Sequence, residues 1–454
     1  MSVARPVQNT GKRIAALATS VAFGLPLIVG TSPAQAQETD RETIDHVLYW
    51  NEVALEAFRE TGGTPGPLSR GGAMMNLAIY DVVNSIRPIG EPYLGEYGDL
   101  VGERDGALNA AIDHAAHNAL SAAFPRLDFS DDLATARALP DEGSAEDRRL
   151  GREAGELSAA AIVQDREGDG SQDTIDYVPV LEPGHWRPAP GVPAAGAHWG
   201  GVRPFVLESG DQFRPDLPGG FDTLEALLAS DFYADQVAEV HELGGADSTT
   251  RTEDQTEIAR FWANDLDGTY KPVGHQYELA RILIETHQPD ATSYDTALLF
   301  TLQSVAMADA SIAVWDSKYE TDVDLWRPEH AIALADTDGN PLTEADPDWR
   351  TLSADVEGNS FSPSFPSYVS GHSGIAAAWG GAVIHYFGED DLPFVATTED
   401  PNTPGVTRYQ PSISASVQEK ADSRLYAGVH YSMDNDDALE LGYALADYVT
   451  DHLG

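Results

Sequence analysis

Apolar residues recur every three or four positions along most of this chain. Ile44, Val47, Leu48, Leu55 and Phe58 do so near the start, and Leu298, Leu302, Val305 and Ile312 in the middle. Ala438, Leu441, Leu445, Tyr448 and Val449 repeat the pattern near the end. That spacing lays an apolar stripe along an α-helix, whereas the period of two that marks strands is scarce. The pattern predicts further helices over about 69–86, 104–123, 145–164, 221–243, 252–264, 274–287, 372–387 and 414–427, besides a long one over 292–318. Val178 to Gly220 is rich in Pro and Gly and reads as a long ordered connection between an amino-terminal and a carboxy-terminal helical half. The predicted fold class is all-α.

Composition narrows the functional classes. The 454 residues carry 27 basic and 74 acidic side chains, a formal charge of -47. Lysine occurs only at Lys12, Lys271, Lys318 and Lys420. Such a surface repels nucleic acid and anionic membranes, and it suits strong salt, where screening quenches self-repulsion. A salt-tolerant protein is therefore expected. Residues 1–36 read as an export signal: Arg5, Lys12 and Arg13 precede the mostly apolar run Ile14 to Val29, and Ala34-Gln35-Ala36 offers a small-x-small cleavage pattern. The mature chain would then be exported, would not be held in a membrane, and would span 37–454 at a charge of -50 (24 basic against 74 acidic residues). The absence of cysteine excludes disulfides and thiolate chemistry. Two Asp-rich loops, Asp165 to Asp173 and Asp336 to Asn340, read as solvated turns rather than calcium sites, since Pro341 stands where an EF-hand needs glycine.

Three stretches gather unusual groups. Trp315-Asp316-Ser317-Lys318 continues to Trp326-Arg327-Pro328; Phe365 to Ser373 contains Ser370-Gly371-His372 at a helix start; and Ser423-Arg424 precedes His430 and Asp434. One lysine, two arginines, two histidines, a serine and a glycine amide suit a tetrahedral oxyanion. Guanidinium forks grip oxygens in pairs, and a helix start presents free N–H groups. Taken singly, each residue has a plainer reading: a helix-end lysine, a surface arginine, a capped helix, a structural histidine.

Their joint order resembles the superfamily of vanadium-dependent haloperoxidases and phosphatidic-acid-phosphatase-type enzymes. Its pattern is Lys-spacer-Arg-Pro, then Pro-Ser-Gly-His, then Ser-Arg-x5-His-x3-Asp. The third element is complete at Ser423-Arg424, His430 and Asp434. The second has Val369 in place of its proline, and the first separates Lys318 from Arg327 by eight residues instead of six. Further likeness to the haloperoxidase branch runs through Ser69-Arg70-Gly71 to Asn84 and Gln255-Thr256-Glu257 to Trp262. The resemblance implies one helical domain over 37–454, built around two bundle-like halves. It implies vanadate as cofactor, with His430 as the metal ligand and Lys318, Arg327, Ser370, Gly371 and Arg424 around the oxygens. His372 would be the acid–base residue, Trp315 and Phe365 would line the halide side, and Asp434 and Asp309 would be outer partners. Substrates would be hydrogen peroxide, a halide and a small organic acceptor.

The same cage also suits an exported acid phosphatase, with His430 as nucleophile, Asp434 orienting it and His372 as general acid. A non-catalytic oxyanion-binding surface protein is a third reading. Halide preference, the acceptor and the choice between monomer and homo-oligomer stay open.

Overall fold

Side-chain caps set the helix starts that periodicity leaves approximate. A computed structural model describes residues 44–355 and 357–453; the expected export segment, 1–36, lies outside them. Ser144 caps Ala145–Asp165 in a box with Asp147, and Thr252 caps Glu253–Phe261 in a box with Gln255. Asp45 accepts the Val47 and Leu48 amides to open His46–Thr61. The stretch expected as one helix over 221–243 is two, Leu224–Leu228 and Asp231–Gly244. Ser230 breaks it by accepting the Tyr233 amide as a new cap.

Fifteen α-helices are present among the described residues, with one antiparallel hairpin, Phe394–Thr397 against Thr407–Gln410. Helices Pro65–Ile86, Leu108–Ala123 and Ala145–Asp165 pack together, as do Gly371–Phe387, Ile413–Tyr426 and Ser432–Leu453. Ser293–Tyr319 packs against Pro65–Ile86 and also against Gly371–Phe387, so it is the wall shared by two bundles. Among the described residues it alone is long and apolar enough to cross a membrane, but 94% of its most apolar window is buried inside the protein. One close helix approach rests on glycine: a Cβ on Gly442 would lie 2.3 Å from the Gly374 carbonyl oxygen. Any larger residue there would force the second bundle apart.

The long connection folds back over the shared helix. Asp309, read from the sequence as a partner for a cation of the site, instead accepts the amides of Phe205, Val206 and Leu207 at 2.7, 2.8 and 3.0 Å. Burial pushes its pKa up to about 6, against those three hydrogen bonds. The apolar stripe located Asp309 in the core, but its charge serves a loop backbone. Asp309→Ala should leave three buried amides unpaired, each costing about 1–3 kcal/mol. Urea unfolding is expected to register a loss of at least about 3 kcal/mol. A loss under about 1 kcal/mol would mean that the amides find other acceptors.

Candidate active site

Arg327 reaches the site although the segment between it and Lys318 is long. Residues 324–326 are stitched to 184–186: the Trp186 amide donates to the Asp324 carbonyl at 2.6 Å and the Trp326 amide to that of Gly184 at 2.8 Å. Asp324 also receives the Tyr177 hydroxyl and contacts His185 Nδ1. The extra length is held in this clamp, and the chain emerges with Arg327 1% exposed. Its Nε donates to the Phe365 carbonyl at 2.9 Å, and its Nη1 to the Val429 carbonyl at 2.7 Å and to His430 Nε2 at 3.0 Å. The guanidinium carbon lies 4.7 Å from the centre of the Phe365 ring. Burial lowers the Arg327 pKa to about 9.

His430 follows a turn that only glycine fits. Gly428 has φ 77°, and a Cβ there would lie 2.3 Å from the Gly244 carbonyl oxygen. Four residues on, Asp434 Oδ2 lies 2.9 Å from His430 Nδ1 and also takes the Ser367 hydroxyl. A guanidinium only donates, so Nε2 is the accepting nitrogen and Nδ1 carries the proton toward Asp434. Burial, then Arg327, Lys318 and Arg424, hold the His430 pKa well below its usual value, which keeps the ring neutral. Burial pushes Asp434 up to about 6, opposed by Ser367, Lys318 and Arg327.

The Gly371–Phe387 helix brings the second motif alongside. Ser370 caps it, its hydroxyl 2.8 Å from that of Ser373, while the Ser370 amide donates to the Asp434 carbonyl. A Cβ on Gly371 would lie 3.2 Å from the Trp315 ring, so the glycine lets that indole close against the helix start. His372 is half-buried, and burial, then Arg424 and Lys420, depress its pKa well below the usual value. Trp315 and Phe365 pack with ring centres 5.0 Å apart. Together with His372, Arg424 and His430 they line a chamber of about 250 Å³.

Lys318 departs from the role the resemblance implies. Its three N–H groups go to the carbonyls of Pro366, Ser367 and Val369, so none is left for an oxyanion. The lysine sits in the last turn of its helix beneath the loop that leads to Ser370, and those carbonyls are its acceptors. Burial and Arg327 depress its pKa. Its charge lies 5.2 Å from the Phe365 ring centre and holds the loop that carries Ser370.

Sequence reasoning passed over several neighbours. Asp265 Oδ2 accepts Arg424 Nη2 at 3.1 Å, and Ser367 joins Asp434 as described. Lys420, one turn before Arg424, donates to Gln276 Oε1 between the rings of Trp262 and Trp379. Lysine scarcity was the available signal: Lys271, Lys318 and Lys420 are 5%, 0% and 1% exposed, all around this site. The most telling feature is what lacks a partner. Arg327 Nη2 and Arg424 Nε and Nη1 are buried with no hydrogen-bond acceptor.

Residues 298–454 match the family model described as the VCPO second helical-bundle domain. Vanadium chloroperoxidase of Curvularia inaequalis is 26% identical over 504 aligned positions, which cover 87% of this chain and 80% of that protein. A bacterial vanadium-dependent iodoperoxidase structure superposes with a TM-score of 0.71 at 25% identity, covering 90% of this chain and 96% of that one. A holo-type bacterial vanadium-dependent chloroperoxidase shares the fold, with a TM-score of 0.69 at 16% identity over 91% of this chain and 98% of that one.

Proposed function

We propose that the chain is a vanadium-dependent haloperoxidase, which uses vanadate and hydrogen peroxide to oxidise a halide, bromide in the first place, to a hypohalous species. A small organic acceptor would consume that product. The observation that carries this reading is the set of orphaned guanidinium N–H groups on Arg327 and Arg424 around His430. Leaving buried charged donors unpaired is costly, and a tetrahedral oxyanion supplies the missing acceptors.

These residues fit vanadate. Arg327, Arg424, Ser370 and the Gly371 amide would hold its oxygens, and Nε2 of the neutral His430 would be its ligand in exchange for the Arg327 hydrogen bond. Bound there, vanadate supplies a Lewis-acidic centre that polarises peroxide for attack by halide. The protein's own part is orientation and proton control. Asp434 fixes the His430 tautomer from the Nδ1 side. His372, kept neutral, is placed to take and return a proton within the chamber. Trp315 and Phe365 exclude water from the halide side.

Bromination and phosphomonoester hydrolysis, assayed on one vanadate-reconstituted preparation, test the reading. Bromination should require both vanadate and peroxide, and excess phosphate should slow reactivation of the vanadate-free protein, because both anions seek the same donors. Phosphatase activity without bromination would assign the cage to phosphate instead.

A further inference from the structure

The chamber beside the oxyanion cage has a cation that the reaction described so far does not use. Lys271 lines it, is 5% exposed, and holds φ 60° immediately before Pro272. Non-glycine residues rarely take positive φ, and such strain persists where the surrounding structure enforces it, often at functional sites. Two of its three N–H groups are used, on the Asp265 carbonyl at 2.7 Å and on Asp267 Oδ1 at 2.9 Å. The Asp267 side chain is 94% exposed, which puts the ammonium at the boundary between chamber and solvent.

Charge distinguishes this approach from its neighbour. A second cavity of about 340 Å³ also reaches Arg424, but there four acids, Asp265, Asp267, Asp355 and Asp400, outnumber Arg260 and Arg424. In the first chamber Asp265 is the only acid among the described residues, and its carboxylate is engaged by Arg424. An anion approaching a protein at -47 meets one acidic route and one route with a lysine at its edge.

We infer that Lys271 is a halide-binding, specificity-determining residue at the entrance of the chamber, its third N–H receiving the anion on the way to the Trp315–Phe365 wall. The inference rests on the haloperoxidase reading, so one arm of its test does not depend on turnover. Crystals of the vanadate-free protein soaked in bromide should give an anomalous peak at hydrogen-bond distance from Lys271 Nζ. Lys271→Arg should keep the peak and Lys271→Met should lose it. In the vanadate-loaded enzyme, Lys271→Met should raise the bromide KM on the order of fivefold with kcat little changed, and Lys271→Arg should restore it. Asp267→Asn, at an exposed side chain, should lower that KM by removing a competing charge. A role limited to clamping the 265–267 loop predicts the reverse: Lys271→Met would weaken vanadate binding or kcat, and Asp267→Asn would help nothing. Absence of the bromide peak in the parent protein, or an unchanged bromide KM in Lys271→Met, overturns the inference. If the parent brominates nothing, the functional reading fails while the crystal arm still decides this one.

Discussion

A His430→Ala variant is expected to lose vanadate affinity by well over 100-fold while keeping its helical circular dichroism. Nε2 of the neutral His430 ring is the accepting nitrogen beside the Arg327 guanidinium, so its removal deletes the proposed ligand to the metal. The fold should survive, because the change removes an imidazole from a polar pocket and leaves the Gly428 turn and the helix after it intact. Arg327 keeps its bonds to the Phe365 and Val429 carbonyls. Asp434→Asn gives a graded comparison: an outer partner of a ligating histidine usually contributes about 10- to 100-fold in affinity, so this variant should fall between parent and His430→Ala. Equilibrium dialysis against vanadate measures both. Parent-like binding by His430→Ala would remove it as the ligand.

His372→Ala should have the opposite profile, with vanadate bound and turnover lost. His372 makes none of the contacts that hold Arg327 or His430, so metal content should be unchanged. A positioned acid–base group contributes about 100- to 10,000-fold, and halide oxidation at saturating peroxide should fall within that range. Its depressed pKa gives the sign: the ring is neutral near pH 7 and starts as a proton acceptor. Vanadium content and bromination rate, measured on the same sample, separate binding from chemistry. Undiminished bromination with full occupancy would exclude His372 from the mechanism.

Much of this architecture was legible in the sequence because helices announce themselves locally. Ala145–Asp165 and Gly371–Phe387 lie within a residue or two of their expected bounds, since stripe, cap and stop are all short-range signals. His430 and Asp434 were legible for another reason, their fixed spacing in the third motif, which sets them on either side of the start of Ser432–Leu453. What escaped were partnerships across the chain. Asp265 meets Arg424 over 159 positions, and Asp309 meets the backbone of 205–207 over more than a hundred. A carboxylate on an apolar stripe reveals that it is buried, not whom it faces. Lys318 shows the same limit: its place in the motif was clear, yet three loop carbonyls decide what its ammonium does.

The burial of lysine has a practical consequence. Each of the three lysines in the described residues is packed inside the protein, and Lys12 precedes the expected cleavage point. Among the described residues of the folded protein, amine-directed dyes, crosslinkers and resins would find almost no lysine to attach to. A lysine-specific protease would likewise find its cleavage points only after the core opens. Digestion by such a protease would then act as a clock for opening, with cuts after Lys318 and Lys420 reporting in turn on the shared helix and the second bundle, while Pro272 protects the bond after Lys271.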